Sequence, residues 1–240
     1  MKRFIKYAAI SVVVLLLVAV IGFYIWTQQT YQPSEQLNQW VSDIEKSEGW
    51  VVFEPDEEPE SGVILYPGAK VEPEAYGYLA EQLAEAGYLT GVPDVRLNLA
   101  LTDSSKAEEL IERYPHVDNW YVGGHSLGGV AAASFASKDE AAGVIFLASY
   151  PTEGTSFADT DVPILSIYGE KDGLTTPEKI EETEPYLSDQ TTLHQIDGGN
   201  HAQFGVYGEQ KGDRAADISV KEQQDEIVEV ITQWLKEKNS

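Results

Sequence analysis

From about residue 50 onward, short apolar runs rich in β-branched residues alternate with longer runs whose apolar residues recur at helical spacing. This alternation predicts an α/β fold built on a mostly parallel, doubly wound sheet, with helices on both faces. In such sheets, functional sites lie outside the carboxyl ends of the strands. The predicted strands are GWVVFEP, SGVILYPG, YLTGVPDV, NWYVGG, AGVIFLAS, VPILSIYG and TTLHQID. The predicted helices are PEAYGYLAEQLAEAG, SSKAEELIERY, 126 to about 137, TPEKIEETEPYL, and an amphipathic helix from Ser219.

The first thirty residues differ in composition from the rest of the chain. Lys2, Arg3 and Lys6 precede an uncharged run over 7–26, which is long enough to span a bilayer. The run ends in FYIWTQQT instead of a small-residue cleavage site, so we expect an uncleaved anchor; a secreted chain after signal cleavage is the alternative. The basic flank predicts a cytoplasmic N-terminus in a single-pass protein of the cell membrane, with the rest of the chain outside.

We expect three regions along the 240 residues: a membrane anchor over 1–30, a polar spacer over 31–48 and one folded domain over 49–240. The stretch SEQLNQWVSDIEK in the spacer is compatible with a short helix. No signal in the sequence predicts the oligomeric state.

Composition excludes several classes of function. The chain has no cysteine, which excludes disulfides, a thiolate nucleophile and a cysteine-ligated zinc. Its net charge is −24, and because the first thirty residues hold three basic and no acidic side chains, the remainder carries −27. Such an acidic surface makes nucleic acid an unsuitable partner.

The segment Gly124-His125-Ser126-Leu127-Gly128 fits the G-x-S-x-G pattern between a predicted strand and a predicted helix. A sharp turn from strand to helix exposes the serine hydroxyl, and the glycines remove side chains that would collide with it. We therefore interpret Ser126 as a nucleophile.

A serine nucleophile needs a base, and the chain has four histidines to supply one. His116 lies at the amino end of its strand, and the side chain of His125 should point away from that of Ser126. His194 lies in the middle of a strand. His201 is the predicted base, because it follows the last strand, at the carboxyl edge where Ser126 is expected.

The histidine in turn needs a carboxylate that orients it. Asp172 follows the strand ILSIYG by a few residues and gives the chain order Ser, Asp, His that is used on doubly wound sheets. Glu170 and Asp197 are alternatives.

The developing oxyanion needs backbone N–H donors. One is expected from Leu127, directly after the nucleophile. The second is expected from the loop LYPGAKVEPEAY, and the sequence leaves Gly68, Ala69 and Lys70 open as its source.

Together these motifs resemble the α/β-hydrolase family over about residues 50 to 238. The stretches YPGAKVEPEAY and GGNHAQFGVYGEQ are similar to a bacterial subgroup, often membrane-anchored, that is related in shape to dienelactone hydrolases. The resemblance implies about eight strands and carboxylic-ester chemistry, and we expect the site to use neither a metal nor a cofactor. The chain departs from dienelactone hydrolases, which typically use cysteine, in having a serine nucleophile, and it has Ala69 where many relatives have a second glycine in the oxyanion loop.

Only the short loop PTEGTSFADTD separates two predicted strands at the place where many relatives insert a cap, so we expect an uncapped, open and shallow pocket. The predicted function is a serine carboxylesterase that acts on a small or exposed ester. The alternatives are a thioesterase or amidase with the same triad, or a non-catalytic binding protein of the cell envelope. The candidate pocket residues are Tyr66, Tyr76, Tyr150, Phe204 and Tyr207.

Overall fold

The computed structural model of the protein describes residues 2–138 and 141–239, and these form an eight-stranded sheet with helices on both faces. The strands are β1 (Lys46–Ser47), β2 (Trp50–Phe53), β3 (Ser61–Tyr66), β4 (Leu89–Pro93), β5 (Asn119–His125), β6 (Gly143–Leu147), β7 (Ile164–Gly169) and β8 (Thr191–Ile196). The helices are α1 (Lys2–Thr27), α2 (Gly77–Glu85), α3 (Ala107–Arg113), α4 (Leu127–Ala136), α5 (Pro177–Thr183) and α6 (Val220–Lys238).

The strand order is β1-β2-β4-β3-β5-β6-β7-β8, with β1 and β2 antiparallel and the others parallel. The predicted doubly wound, mostly parallel sheet is confirmed. Residues 148–163, between β6 and β7, contain only one short 3₁₀ turn, so no cap is inserted there. The eighth strand, β1, is a two-residue strand that the sequence did not predict.

Two apolar layers bury the sheet. On one face lie α2 and α6, and on the other lie α3 and α4. Helix α6 begins with a capping box in which the backbone N–H of Glu222 donates to Ser219 Oγ, and the backbone N–H of Ser219 donates to Glu222 Oε2. Helix α4 places three small, fully buried residues, 131–133, against the sheet, which lets its axis lie close to the strands.

Strand register brings together, at the carboxyl edge, the loops that carry the predicted site residues. Tyr66, the last residue of β3, lies opposite Gly124 of β5, so the loop after β3 runs beside the turn that holds Ser126. Gly169 of β7 lies opposite Ile196 of β8, so the loops that follow these strands are neighbours as well.

Residues 31–48, expected as a polar spacer, pack against the domain. Leu37 and Val41 are buried in a small apolar cluster with Tyr78 and Val206, and Lys46–Ser47 adds β1 to the sheet. The expected short helix is a single 3₁₀ turn, Leu37–Gln39. The segment is polar on average, but its few apolar residues share one side, and burying that side stabilises the docked position.

Helix α1 contains the stretch Ala9–Thr27, 19 residues long with a mean hydropathy of 2.7, which is long and apolar enough to cross a membrane. Its side chains, where described, are exposed up to Trp26, and only Thr27 at its end is buried. A membrane span and a signal sequence both have this composition.

Candidate active site

Ser126 lies in the turn between β5 and α4, with φ 52° and ψ −120°. A positive φ is strained for a residue with a Cβ, and such strain persists only where the surroundings enforce it. Here they do so from β6: the backbone N–H of Ser126 donates to Leu147 O at 2.9 Å, and Ser149 Oγ donates to Ser126 O at 2.6 Å. The side chain of Ser126 remains partly exposed.

The glycines around Ser126 are required by close backbone approach. A Cβ on Gly128 would lie 2.2 Å from Tyr66 O, and one on Gly124 would lie 2.5 Å from the carbonyl carbon of Gly128. Both contacts are far shorter than real Cβ contacts. The turn therefore sits directly against the end of β3, and the G-x-S-x-G spacing follows from that contact.

Asp172 and His201 form a buried pair. His201 Nδ1 lies 2.8 Å from Asp172 Oδ2, and both side chains are almost completely inaccessible. The other carboxylate oxygen, Oδ1, accepts hydrogen bonds from the backbone N–H groups of Leu174 at 2.8 Å and Thr175 at 2.6 Å. The carboxylate thus acts as an acceptor on both oxygens, which places the imidazole proton on Nδ1 and leaves Nε2 as an acceptor.

Three polar side chains, none of them predicted from sequence for this role, hold the two loops in place. Asp213 joins the loops, because its carboxylate accepts from the backbone N–H groups of both Gly173 and Ala202.

Gln223 of α6 forms two hydrogen bonds with the backbone of Asn200, accepting from its N–H and donating to its carbonyl. Glu170 accepts from the backbone N–H of Gly198. No sequence motif marks these residues.

The rival acids and bases lie elsewhere. Glu170 is bound to Gly198 as described, and Asp197 is exposed. His116 is exposed near the amino end of β5, and His194 on β8 pairs with Glu226 of α6 at 2.8 Å.

The oxyanion loop after β3 offers three backbone N–H groups, and two of them are already bonded. Gly68 donates to Tyr76 Oη at 2.9 Å, and Lys70 donates to Asn98 O at 2.8 Å. The N–H groups of Ala69 and Leu127 make no hydrogen bond within residues 2–138 and 141–239. These two are therefore the groups free to bind an oxyanion.

His125, immediately before Ser126, is buried in a network that reaches the oxyanion loop. Its Nδ1 lies 2.9 Å from Tyr76 Oη, and because that oxygen already accepts from Gly68, its proton is free to be donated to His125. The His125 ring stacks on Phe204, and its centroid lies 4.6 Å from that of His201. Burial, with a smaller contribution from the charge of His201, lowers the pKa of His125 well below its usual value.

Four of the five aromatic residues predicted to line a substrate pocket are packed inside the domain instead. Tyr66 bonds the backbone at Ser104 and Ala107, Tyr76 and Phe204 contact His125, and Tyr207 packs against Tyr31. Burial raises the pKa of Tyr66, Tyr76 and Tyr207.

Tyr150, which follows β6, is the fifth predicted pocket residue and is partly exposed at the carboxyl edge, with Lys179 Nζ 5.7 Å from its ring centroid. Closeness in sequence to the loops of the site therefore does not determine whether an aromatic side chain lines a pocket or packs in the core.

Three polar atoms at the centre of the site have no hydrogen-bond partner in the described part of the chain. His201 Nε2 and His125 Nε2 are buried without one, and Ser126 Oγ forms none. A buried polar atom without a partner is costly and calls for a functional explanation. The arrangement leaves a serine hydroxyl and an acceptor nitrogen on neighbouring loops, next to two free N–H groups.

The model of the alpha/beta hydrolase family matches residues 62–225, and no curated protein matches the chain. An alpha/beta hydrolase enzyme, MGS-MChE2, from a sediment metagenome of the Mar Chica lagoon in Morocco has 16% identity, covers 83% of this chain and 100% of its own, and has a TM-score of 0.61.

Two further solved structures share the fold at the same identity. A predicted CIB-like hydrolase from Thermoplasma acidophilum has 16% identity, coverage of 82% of this chain and 96% of its own, and a TM-score of 0.58. An alpha-beta serine hydrolase homologue from Coxiella burnetii has 16% identity, coverage of 77% and 89%, and a TM-score of 0.56. Because the family match extends over more than half of the residues and the sheet has the same architecture, the chain belongs to the α/β-hydrolase family.

Proposed function

We propose that the protein is a serine hydrolase that cleaves a carboxylic ester through Ser126, His201 and Asp172. The observation that carries the proposal is the buried 2.8 Å contact between Asp172 and His201, on loops that lie beside the strained turn of Ser126. Membership of the α/β-hydrolase family supports hydrolase chemistry.

In the proposed mechanism, His201 Nε2 accepts the proton of Ser126 Oγ as this oxygen attacks the ester carbonyl. Asp172 stabilises the imidazolium that forms. The N–H groups of Leu127 and Ala69 bind the oxyanion of the tetrahedral intermediate. The intermediate collapses to an acyl-enzyme, and the alcohol leaves with the proton from His201. Water then releases the acid by the same route.

We also propose that α1 remains attached as an anchor and that the domain lies outside the cytoplasm. The basic residues before the apolar stretch support this orientation. The contacts between the end of α1 and the domain support retention of the helix, because cleavage would remove them.

Labelling with a fluorophosphonate probe, followed by mass spectrometry of the folded protein, tests the proposed nucleophile. We expect an adduct on Ser126, its loss in Ser126→Ala, and labelling equal to wild type in Ser137→Ala, since Ser137 is an exposed serine at the end of α4. A folded wild-type protein that forms no adduct would overturn the proposal. Matched p-nitrophenyl ester, thioester and anilide substrates then identify the bond that is cleaved.

A further inference from the structure

The end of α1 is docked onto the domain. Thr27 is fully buried, and its carbonyl accepts a hydrogen bond from Asn98 Nδ2 at 3.0 Å. Lys70 Nζ lies 4.4 Å from the ring centroid of Trp26, a cation–π contact. The last turn of the helix therefore touches two loops of the hydrolase domain directly.

The chain pairs with the domain again within four residues of this contact. Tyr31 donates its backbone N–H to Lys70 O at 2.6 Å, and Glu72 donates its own to Tyr31 O at 3.0 Å. A free spacer over 31–48 would let the domain move by tens of ångströms from the helix, at about 3.3 Å per extended residue. The observed pairing instead holds the domain within four residues of the helix end.

The contacts of α1 lie at the active-site edge of the sheet. Lys70 directly follows Ala69, whose N–H is free to bind an oxyanion, and the N–H of Lys70 is held by Asn98 O. Lys70 and Asn98, which contact the end of α1, thus also support the oxyanion loop. The face of the domain that carries Ser126 is the face from which α1 emerges.

The length of α1 sets the depth of this edge. Ala9–Thr27 spans 19 residues, or about 28 Å at ~1.5 Å per residue, close to the ~30 Å of a bilayer's hydrocarbon. Trp26 then lies at the headgroup level, which is where tryptophan is enriched. Lys70 over its ring lies at the same level, and the Cα of Ala69 is only ~3.8 Å from that of Lys70.

Two of the exposed leucines of the domain lie on the same edge. Among the described residues beyond α1, the large apolar side chains left widely exposed are Leu101 at 47%, Leu174 at 41% and Leu193 at 41%. Leu101 lies in the loop after β4 and Leu174 in the loop after β7, so both lie at the carboxyl edge. Leu193 lies within β8, away from that edge. Exposed apolar residues beside a membrane-anchored site suit contact with lipid.

We propose that α1 holds the active-site edge of the domain against the bilayer, with Leu101 and Leu174 in contact with lipid, so that the substrate is an amphipathic ester held in the same leaflet. The substrate class rests on the proposed function. The acyl group of such an ester passes from its alcohol to Ser126 and then to water, as in the mechanism above. Because residues 31–240 carry −27, the anchor and not electrostatic attraction positions the domain, and an uncharged or zwitterionic ester is favoured over an anionic one.

A depth measurement on the full chain tests the orientation without relying on catalysis. The natural chain has no cysteine, so Leu101→Cys, Leu174→Cys and the control Leu193→Cys each give one site for an environment-sensitive fluorophore. In phosphatidylcholine vesicles that contain spin-labelled lipids, we expect quenching at positions 101 and 174 and little at 193. Equal quenching at all three positions, or none at 101 and 174, would overturn the proposed orientation.

A linker insertion tests the substrate class. A flexible Gly/Ser segment of ~20 residues between Gln28 and Gln29, with an r.m.s. length of ~25 Å, should release the domain from the bilayer. We expect hydrolysis of a long-chain ester embedded in the vesicles to fall by at least ~10-fold, while hydrolysis of a water-soluble short-chain ester is unchanged. The same linker between Glu57 and Glu58, at the opposite edge of the sheet, is the control and should change neither rate.

The outcomes separate the two proposals. Unchanged hydrolysis of both esters by the Gln28–Gln29 insertion would overturn the membrane-held substrate and leave the proposed serine hydrolase intact. A wild-type protein that cleaves neither ester would overturn the ester chemistry and with it the substrate class, and the quenching measurement would still decide the orientation.

Discussion

Asp172 shows how one carboxylate sets the state of a neighbouring ring. Its Oδ1 is committed to the backbone N–H groups of Leu174 and Thr175, and its Oδ2 faces Nδ1 of His201. Because each oxygen can only accept, the proton of the imidazole is held on Nδ1, and Nε2 is left with a lone pair. The catalytic capacity of the proposed base depends on this one interaction.

Replacing Asp172 with asparagine should therefore abolish most activity while keeping the fold. The amide oxygen will stay with the two backbone N–H groups, so the amide NH₂ will face His201 and force the opposite tautomer. We expect kcat on an activated ester to fall by ~10⁴, the size of the equivalent change in a serine protease. Steady-state kinetics on Asp172→Asn measures this, with Glu170→Gln and Asp197→Asn as controls. Loss of activity in either control, with Asp172→Asn active, would assign the acid elsewhere.

His125 should make stability depend on pH. Burial lowers its pKa in the folded state, so between that value and the unfolded value of about 6.5 only the unfolded chain binds the proton. The free energy of unfolding should then fall as the pH falls below about 6.5, by up to ~1.4 kcal/mol per pH unit.

Denaturant titrations of the detergent-solubilised protein at a series of pH values measure this effect. In His125→Gln the additional loss below pH ~6.5 should disappear, while His116→Gln, at an exposed site, should follow wild type. Parallel pH profiles for wild type and His125→Gln would show that His125 is not the residue responsible.

At the scale of elements, the site is a contact between β5, α4 and the loop after β3. Gly128 in the first turn of α4 lies so close to β3 that a Cβ would be 2.2 Å from Tyr66 O and 2.6 Å from Pro67 O. Both neighbours are backbone atoms, which cannot swing away as a flexible side chain would. The loop after β3 can therefore lie this close to the turn of Ser126 only because residue 128 has no Cβ.

Gly128→Ala should move α4 and the oxyanion loop apart. Overpacking of this kind costs ~1–3 kcal/mol or more, which outweighs the ~1 kcal/mol that alanine contributes in a helix interior. We expect a lower midpoint of denaturant unfolding and a lower kcat, because Pro67 leads directly into Gly68 and Ala69. Gly154→Ala, where the nearest atom is Thr152 Oγ1 at 3.9 Å, is the matched control and should stay within ~0.5 kcal/mol of wild type. Equal stability of the two variants would contradict the close contact.

At the scale of the whole molecule, the segment between α1 and the sheet is part of the folded domain. Leu37 is completely buried, and it packs with Val41, Tyr78 and Val206. Tyr31 pairs with the loop at Lys70 and Val71. The segment thus attaches the end of α1 to the carboxyl edge of the sheet, where the proposed active site lies.

Leu37→Ala should destabilise the entire domain. Removing a fully buried leucine costs ~2–5 kcal/mol, because apolar contacts are lost and a cavity remains. Chemical unfolding followed by tryptophan fluorescence should show one transition with a lower midpoint. Asn38→Ala, at an exposed position in the same turn, should leave the midpoint unchanged. A wild-type midpoint in Leu37→Ala would mean that the segment is only a spacer.

The sequence by itself predicted the fold class, because strand and helix periodicities are local and are imposed by burial on each element separately. The same holds for the turn that carries Ser126, the proposed nucleophile. G-x-S-x-G between a strand and a helix is a local pattern, and the structure gives Ser126 the strained backbone that the pattern predicts. Asp172 and His201 followed from their positions after strands, and the structure brings their side chains to 2.8 Å from each other.

Other features depend on contacts between residues that are far apart in the chain, and only the tertiary structure decided them. The sequence left three candidate donors in the oxyanion loop, and the bonds of Gly68 to Tyr76 and of Lys70 to Asn98 leave Ala69 free. It likewise could not show that Asp213 joins the loops that carry Asp172 and His201, or that four predicted pocket aromatics pack inward. It predicted a spacer where the structure docks the end of α1 and residues 31–48 on the domain. The physical reason is the same in each case: the partner of a hydrogen-bonding group and the side on which a side chain is buried are set by neighbours in space, which local periodicity does not encode.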